Sequence, residues 1–168
     1  MKGSGLKIKA TAVKVKEEEV AKREKAGLLS KLVFGEPGVA SITLRYFPYW
    51  IGKVSYEKNK KPPKVGLMAL ADQTKISTPI LTEFTYGEVD VDEGMVVNPK
   101  LKPSDATALI IKGAENWALT KKKDPTIFFG KAKLTLVDLT LVYRPFWDVQ
   151  YAKGGGRYYE ADGYFTRW

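Results

Sequence analysis

The chain contains no histidine and no cysteine among its 168 residues. Without histidine it lacks the commonest general base and the commonest protein ligand of transition metals. Without cysteine it can form no disulfide, no thiolate nucleophile and no thiolate metal site. These absences exclude Ser-His-Asp and Cys-His catalysis. We therefore predict no catalytic residues, no metal site and no cofactor.

Long apolar runs are also missing. No stretch of about eighteen consecutive apolar residues occurs, so we predict no membrane-spanning helix and no membrane insertion. The start, residues 1–5, leads into a lysine-rich stretch rather than into the apolar segment of a signal peptide. By default, these features predict a soluble, cytoplasmic protein.

The residues that are present indicate a folded and strongly basic protein. Hydrophobic residues make up 44% of the chain and aromatic residues 12%, which argues against disorder. Twenty-eight basic residues against nineteen acidic ones give a formal net charge of +9. Such a charge favours anionic partners, nucleic acid among them, but it also serves solubility, and both interpretations stay open.

One aromatic phrase occurs twice. Residues 43–50 read TLRYFPYW and residues 140–147 read TLVYRPFW, so five of the eight letters agree. A helical stretch precedes each phrase, and a Val-x-Tyr, a polar loop and an Ala-Asp pair ending at Asp72 or Asp162 follow it. Because all these features keep the same order, they predict an internal duplication rather than a chance match.

The duplication predicts an α+β fold made of two tandem repeats, residues 1–80 and residues 84–168. Each repeat is predicted to be an antiparallel sheet packed on one helix, with a pseudo-twofold axis relating the two. Isolated units of this size are only marginally stable, so packing them together would bury more core. The repeats are also compatible with one compact, pseudo-symmetric domain.

Local patterns assign several elements. Alternating apolar and polar residues predict a strand over residues 6–12. Helical signals predict a first helix from Glu17 to Leu32 and a second helix that Ser104 caps. Pro48 and Pro145 predict a strand edge or a bulge, because proline has no N–H to donate to a ladder.

The aromatic strands carry a resemblance to known domains. Tyr46-Phe47-Pro48-Tyr49-Trp50 with Asp72, and Tyr143-Arg144-Pro145-Phe146-Trp147 with Asp162, resemble a Tyr-x-Pro-aromatic-Trp strand followed by a hairpin and an Asp. The pattern of a helix on a curved antiparallel sheet is similar to PepSY-like and cystatin-like small domains. The resemblance implies a binding or inhibitory accessory module, often outside the membrane, and it implies no particular functional residues.

Two local motifs suggest ligands but fit structural roles better. In the acidic stretch 88–94, an EF-hand loop starting at Glu88 would need glycine at Glu93 and glutamate at Pro99, so the calcium motif is absent. Alternating acids are typical of one solvated face of a strand. The glycine run at residues 154–156 lacks the flanking pattern of a phosphate-binding loop, and we predict that it forms a hairpin tip.

Asp72 and Asp162 are the carboxylates that could support acid–base chemistry. If both lay in one cleft, their environments could hold them in opposite protonation states. The alternative is that each aspartate stabilises a turn by bonding its own backbone, which the Asp162-Gly163 pair favours. A carboxylate-based enzyme is therefore the third-ranked hypothesis.

The first-ranked hypothesis is a non-enzymatic binding or interaction module for a protein or small ligand. The missing catalytic residue types and the resemblance motivate it. The two aromatic phrases differ where Phe47 gives way to Arg144 and Ile51 gives way to Asp148, so the second copy carries polar groups. We predict a ligand-binding surface there that comprises Tyr49, Trp50, Arg144, Trp147 and Asp148.

The second-ranked hypothesis is single-stranded nucleic-acid binding. Cations beside aromatic side chains are what sequence-tolerant binding of single strands uses. The alternative is that the aromatic residues are core and the lysines solvate loops. The candidate contacts are Lys58, Lys60, Lys61, Lys64, Lys121, Lys122, Lys123 and Arg157.

Overall fold

A computed structural model describes residues 5–32, 38–58, 61–72, 79–120 and 132–164. The chain has an α+β fold, as predicted, with two helices and a mixed sheet. A 3-10 turn spans Glu93–Met95. The other elements in chain order are β1 (Gly5–Thr11), α1 (Glu17–Leu32), β2 (Val39–Lys58), β3 (Lys64–Ala71), β4 (Ile80–Thr82), β5 (Tyr86–Asp92), α2 (Pro103–Thr120), β6 (Ala132–Tyr151) and β7 (Gly156–Glu160).

Helix α1 has the predicted bounds, and α2 begins one residue before the predicted cap. Three glutamates open α1, and Glu19 accepts a hydrogen bond from the backbone N–H of Lys16 at 2.8 Å. That bond is the glutamate half of a capping box. In α2 the first residue is Pro103, so Ser104 lies inside the first turn and the prediction that it caps the helix is wrong. Proline suits this position because its fixed φ is helical and its missing N–H has no helical partner there.

The strands follow the order β4-β3-β2-β6-β1-β5, and β7 pairs with β6. The predicted purely antiparallel sheet is wrong in one pairing, because β1 and β6 are parallel at Ala10 and Tyr143. The β1·β5, β2·β3, β3·β4 and β6·β7 ladders are antiparallel. The β6–β7 turn contains Gly154 and Gly155 with φ of 98° and 75°, which confirms the predicted hairpin tip.

The two prolines of the aromatic phrases lie inside long strands rather than at sheet edges. Both rings are fully buried. The ladder from β2 to β3 begins one residue after Pro48, and the ladder from β6 to β7 begins one residue after Pro145. Neither ladder therefore requires the N–H that proline lacks. The carbonyls are used, since Pro48 O accepts from Asp72 N at 3.2 Å and Pro145 O accepts from Ala161 N at 3.0 Å.

The chain divides into two compact units, and each draws on both halves of the sequence. Unit 1 comprises Met1–Phe47, Tyr86–Val97 and Tyr143–Trp168, and unit 2 comprises Pro48–Thr85 and Asn98–Val142. Strands β2 and β6 each contribute residues to both units. The predicted repeats 1–80 and 84–168 follow the order of the sequence and stay a prediction.

Each unit has its own apolar core. The core of unit 2 packs α2 against β2 and β3, and Gly113 of α2 lies so close to Pro79 that a Cβ there would approach the ring to 2.3 Å. The core of unit 1 packs residues before and within α1 against β6 and β7. The buried members are Val15, Val20, Trp147, Val149, Tyr159 and Ala161 in unit 1, and Trp50, Val54, Met68, Leu70, Ala106, Ile110 and Ala114 in unit 2.

Candidate functional site

The two tryptophans of the aromatic phrases are core residues. Trp50 and Trp147 are only 8% and 9% exposed. In unit 2, the indole N–H of Trp50 donates to Asp72 Oδ2 at 2.9 Å. In unit 1, the indole N–H of Trp147 donates to the carbonyl of Val15 at 2.8 Å. Both indole donors are thus used inside the fold, although one side of Trp147 also lines a groove described below.

Asp72, one of the two carboxylates considered for catalysis, is buried in unit 2. Besides Trp50, it accepts hydrogen bonds from the backbone N–H groups of Lys100 and Leu101. These two residues lie just before α2. The carboxylate therefore fixes the segment that leads into the helix, as capping side chains do for exposed backbone donors.

Asp162, the other candidate, lies in a buried ion pair of unit 1. Arg144 donates to both carboxylate oxygens, from Nε and Nη2, at 2.8 Å each. Thr11 Oγ1 donates to Oδ2 at 2.7 Å, and Arg144 Nη2 also contacts Glu160 Oε1 at 3.0 Å. Arg144 is 1% exposed and its guanidinium is engaged in this network. Bidentate geometry and full hydrogen bonding are what make a buried pair tolerable.

Glu24 of α1 forms a second buried cluster in unit 1. Its Oε1 accepts from Tyr159 Oη at 2.6 Å and from Tyr151 Oη at 3.3 Å. Burial, followed by the hydrogen bond and charge of Glu24, raises the pKa of Tyr159 to about 12. Arg157, a predicted nucleic-acid contact, donates from Nη1 to Tyr159 Oη at 3.2 Å. No local pattern singles out Glu24, because its partners lie more than a hundred residues away in sequence.

An open groove of about 710 Å³ lies in unit 1. Residues from four places in the chain line it: the first turn of α1, the first half of β2, the 3-10 turn and the last quarter of β6. We call it the Arg45 groove. Its lining residues are Glu17, Ile42, Thr43, Leu44, Arg45, Gly94, Met95, Trp147 and Asp148.

Arg45 and Asp148 give this groove its polar centre. Arg45 Nη1 lies 3.7 Å from Asp148 Oδ2, which is an ion pair but too long for a hydrogen bond. The Arg45 side chain is 38% exposed and that of Asp148 is 8% exposed. Gln150 donates a hydrogen bond to the other carboxylate oxygen of Asp148. The pair therefore combines opposite charges with residual hydrogen-bonding capacity beside an apolar wall.

Three aromatic rings that sequence reasoning did not select lie together in unit 1. Phe47 meets Phe146 edge to face at 5.4 Å and meets Tyr158 in the same way at 5.3 Å. The guanidinium of Arg45 lies 5.8 Å from the Phe47 ring centroid. Tyr158 is 52% exposed, so this aromatic trio reaches solvent. The trio was missed because its members come from three different strand segments.

Other predicted residues lie in unit 2 or outside the described residues. Lys61 and Lys64 are exposed near the β2–β3 turn, Lys58 is half-buried, and Tyr49 is half-buried beside Ala71 of β3. A small apolar groove of about 160 Å³ lies against α2, with Lys64 among its lining residues. The predicted contacts outside the described residues are Lys60, Lys121, Lys122 and Lys123.

The acidic stretch forms β5, with its acids on the exposed face, which confirms the strand interpretation. Glu88 lies opposite Lys9 and Asp90 opposite Lys7 in the β1·β5 ladder. Lys7 Nζ also lies 3.8 Å from Glu88 Oε2. Across the described ranges, no group of three acidic side chains is arranged to hold a metal ion.

Comparisons with protein-family models, with curated proteins and with solved structures found no match. The resemblance to PepSY-like and cystatin-like domains therefore stays a prediction. Neither helix in the described part of the chain is long and apolar enough to cross a membrane. The fold and groove define an α+β protein with a mixed sheet and a polar-centred groove in unit 1.

Proposed function

We propose that the protein is a non-enzymatic binding module and that the Arg45 groove is its ligand site. The observation that carries the proposal is the Arg45–Asp148 pair, 3.7 Å apart in the lining of an open groove of about 710 Å³. Ligand sites are typically concave and largely apolar, with a few polar groups that fix orientation. Ile42, Leu44 and Met95 supply apolar lining beside the charged pair.

The engagement of other acidic groups supports binding over acid–base catalysis. Asp72, Asp162 and Glu24 are each buried and hydrogen-bonded within one unit. Asp148 differs because it lines an open groove and shares it with an opposite charge. An arginine beside a carboxylate suits recognition of a polar ligand, since arginine keeps its proton at all ordinary pH values.

The proposal is tested by fragment and peptide screening with isotope-labelled protein. We expect hits to shift the backbone signals of Arg45 and Asp148, and Asp148→Asn to weaken binding roughly tenfold, through loss of a charge-assisted contact. Asp138→Asn, an exposed aspartate on the same strand but in unit 2, is the matched control and should change nothing. Catalytic turnover that Asp148→Asn abolishes would contradict the proposal.

A second candidate is single-strand nucleic-acid binding, which the aromatic trio beside Arg45 favours. Exposed aromatic rings next to cations provide stacking surfaces for bases. We expect labelled single strands to bind at low salt and to dissociate steeply as salt is added. Tyr158→Ala should weaken that binding, whereas Tyr86→Ala, a similarly exposed tyrosine on β5, should not. Oligonucleotide binding whose affinity changes neither with salt concentration nor in Tyr158→Ala would contradict this candidate function.

The internal duplication is a further part of the proposal. Similar contacts support it, since the carbonyls of Pro48 and Pro145 each accept one backbone N–H from the residue that follows the return strand, Asp72 after β3 and Ala161 after β7. The donor is the aspartate of the first Ala-Asp pair and the alanine of the second. Each phrase also directs its tryptophan N–H into the core of its unit. An experimental structure in which β2–β3 superimposes on β6–β7 would support two copies of one unit, and divergent strand geometry would contradict it.

A further inference from the structure

Among the described residues, no strand pairs with one edge of the first half of β2, beside the Arg45 groove. β3 pairs with β2 only from Tyr49 onward. Before that point, Tyr46 forms a single parallel bridge with Val96, and its carbonyl accepts from Val97 N at 2.9 Å. Among the described residues, no strand continues that pairing along residues 39–45. Backbone groups along a strand alternate in direction, so the N–H and C=O groups of Leu44 and Ile42 point to the same edge as those of Tyr46.

This edge lacks the features that usually protect a strand from pairing. Natural edges are blunted by charge, by proline or by shortness. In this sheet β4 has three residues, and β5 carries exposed acids at Glu88, Asp90 and Asp92. Residues 39–44 read VASITL and contain neither a charge nor a proline. Residues 39–44 are thus an uncharged template for an additional strand, and Arg45 follows them.

The groove shares lining residues with this edge of β2. Residues 42–45 line it on one side, and Gly94 and Met95 line it near the bridge at Val96. In β-strand addition, main-chain hydrogen bonds give affinity and pockets for alternate side chains give specificity. The open edge of β2 offers the main-chain hydrogen bonds, and the groove offers a pocket for side chains.

We propose that an extended peptide with alternating apolar and basic side chains adds as a strand along residues 40–45 of β2. This inference rests on the groove being the ligand site. The charges indicate the basic character, because Asp148 and Glu17 line the groove against one arginine, and Glu18 and Glu19 continue the acidic first turn of α1. Apolar side chains of the peptide contact Ile42, Leu44 and Met95.

A second copy of this chain is a poorer occupant of the edge. Its own edge would offer residues 39–44, which carry no basic side chain to face Glu17 and Asp148. Each copy also carries a net charge of +9, which opposes self-association. The observations therefore favour a separate peptide.

The test uses the intact protein, a displayed library of random linear peptides, and synthetic versions of the selected sequences. The key variants are Ile42→Pro and its matched control Ile42→Ala. Both lose the isoleucine side chain, but only proline removes the N–H that faces the open edge, where proline is tolerated. Circular dichroism and thermal unfolding of both variants check that they fold alike.

We expect enriched peptides to alternate apolar and basic residues and to protect the Ile42 and Leu44 amides from hydrogen exchange. Ile42→Pro should bind roughly tenfold more weakly than Ile42→Ala, because a peptide carbonyl loses its donor. If Asp148→Asn weakens binding but the two Ile42 variants bind equally, strand addition is wrong while the groove remains the site. If Asp148→Asn has no effect on any selected peptide, the groove proposal fails as well.

The remaining outcomes each overturn the inference. If the displayed library yields no enriched peptide family, the proposed strand addition is wrong. A concentration-dependent dimer that Ile42→Pro abolishes and Ile42→Ala retains would identify a second copy as the occupant. Displacement of the selected peptides by a single-stranded oligonucleotide, with no amide protection at residues 42 and 44, would point to nucleic acid instead.

Discussion

Unit 1 and unit 2 fix the segments that precede their helices with different chemical groups. In unit 2 the carboxylate of Asp72 accepts the N–H groups of Lys100 and Leu101 before α2. In unit 1 the backbone carbonyl of Ala161 accepts from Lys14 N at 2.7 Å and from Val15 N at 2.9 Å before α1. A side chain therefore holds the segment before the helix in unit 2, whereas a main-chain carbonyl holds the corresponding segment in unit 1.

This difference leaves the aspartate of unit 1 available for another partner. Asp162 binds Arg144, and the pair is almost completely excluded from solvent. Losing a carboxylate that neutralises a buried guanidinium lowers the free energy of unfolding more than losing a carboxylate that accepts only neutral N–H donors. Unit 1 is therefore the unit in which loss of one side chain removes the bidentate partner of a buried charge.

The largest expected effect is the loss of Asp162. Asp162→Ala leaves the guanidinium of Arg144 buried without its bidentate partner, which should lower the free energy of unfolding by about 3–5 kcal/mol. Asp72→Ala removes an acceptor from neutral donors and should cost only about 1–3 kcal/mol. Urea unfolding measures the free energy of unfolding of both variants. An equal or larger loss for Asp72→Ala would contradict the predicted difference between the two units.

A double variant sharpens the same comparison. Phe47 occupies the position in the first aromatic phrase that Arg144 occupies in the second. Arg144→Phe therefore gives both phrases the same residue there, and it removes the positive charge that Asp162 neutralises. We expect Asp162→Ala combined with Arg144→Phe to be more stable than Asp162→Ala alone, because the double variant no longer buries a guanidinium that has lost its bidentate partner, although Glu160 then loses its contact with Arg144. Additive losses in the double-mutant cycle would show that the two residues do not act as a pair.

In unit 2 Gly113 of α2 is a tightly packed position. A Cβ at this position would approach the Pro79 ring to 2.3 Å, so Gly113→Ala should destabilise by about 1–3 kcal/mol despite the better helix propensity of alanine. Gly87→Ala, where no atom lies within 4 Å, is the control. Thermal unfolding measures both, and a Gly113→Ala protein as stable as the parent would show that the helix can shift away from Pro79.

Alkaline pH should weaken unit 1 through Tyr159. Burial and Glu24 raise the pKa of Tyr159 to about 12, whereas an unfolded tyrosine titrates near 10. Between these values the folded chain binds more protons than the unfolded chain, so stability is full below pH 10 and falls as the pH rises towards 12. Urea midpoints across this range measure the loss, and Tyr159→Phe should flatten that part of the curve. An unchanged slope would contradict the assignment to Tyr159.

The smallest expected effect is at the exposed end of the aromatic trio. Tyr158→Ala removes a ring that is 52% exposed, so we expect a change within about 0.5 kcal/mol in the free energy of unfolding. The same variant separates stability from binding, since its stability should stay nearly constant while oligonucleotide affinity falls if the second candidate function holds. A large loss of stability in Tyr158→Ala would show that the Tyr158 ring contributes substantially to the folding of unit 1.

Sequence reasoning succeeded where the signal was local. The glutamate-rich start of α1, the strand pattern near Leu6 and the glycine run at residues 154–156 each specify their own backbone geometry. It predicted an edge or a bulge at the prolines, whereas both lie inside long strands, one residue before the ladders to β3 and β7 begin. It also selected Arg144 and Asp148 together, although the first lies in a buried network and the second lines an open groove.

The sequence by itself determined the α+β class, the helices and the chemistry that the missing histidine and cysteine exclude. Tertiary structure alone decided which charges are buried and which line a groove. The Glu24–Tyr159 contact joins residues 135 positions apart, and the Arg144–Asp162 pair depends on how β6 meets its neighbours. Periodicity and capping act within a few residues, whereas desolvation and charge pairing depend on register and packing between distant segments.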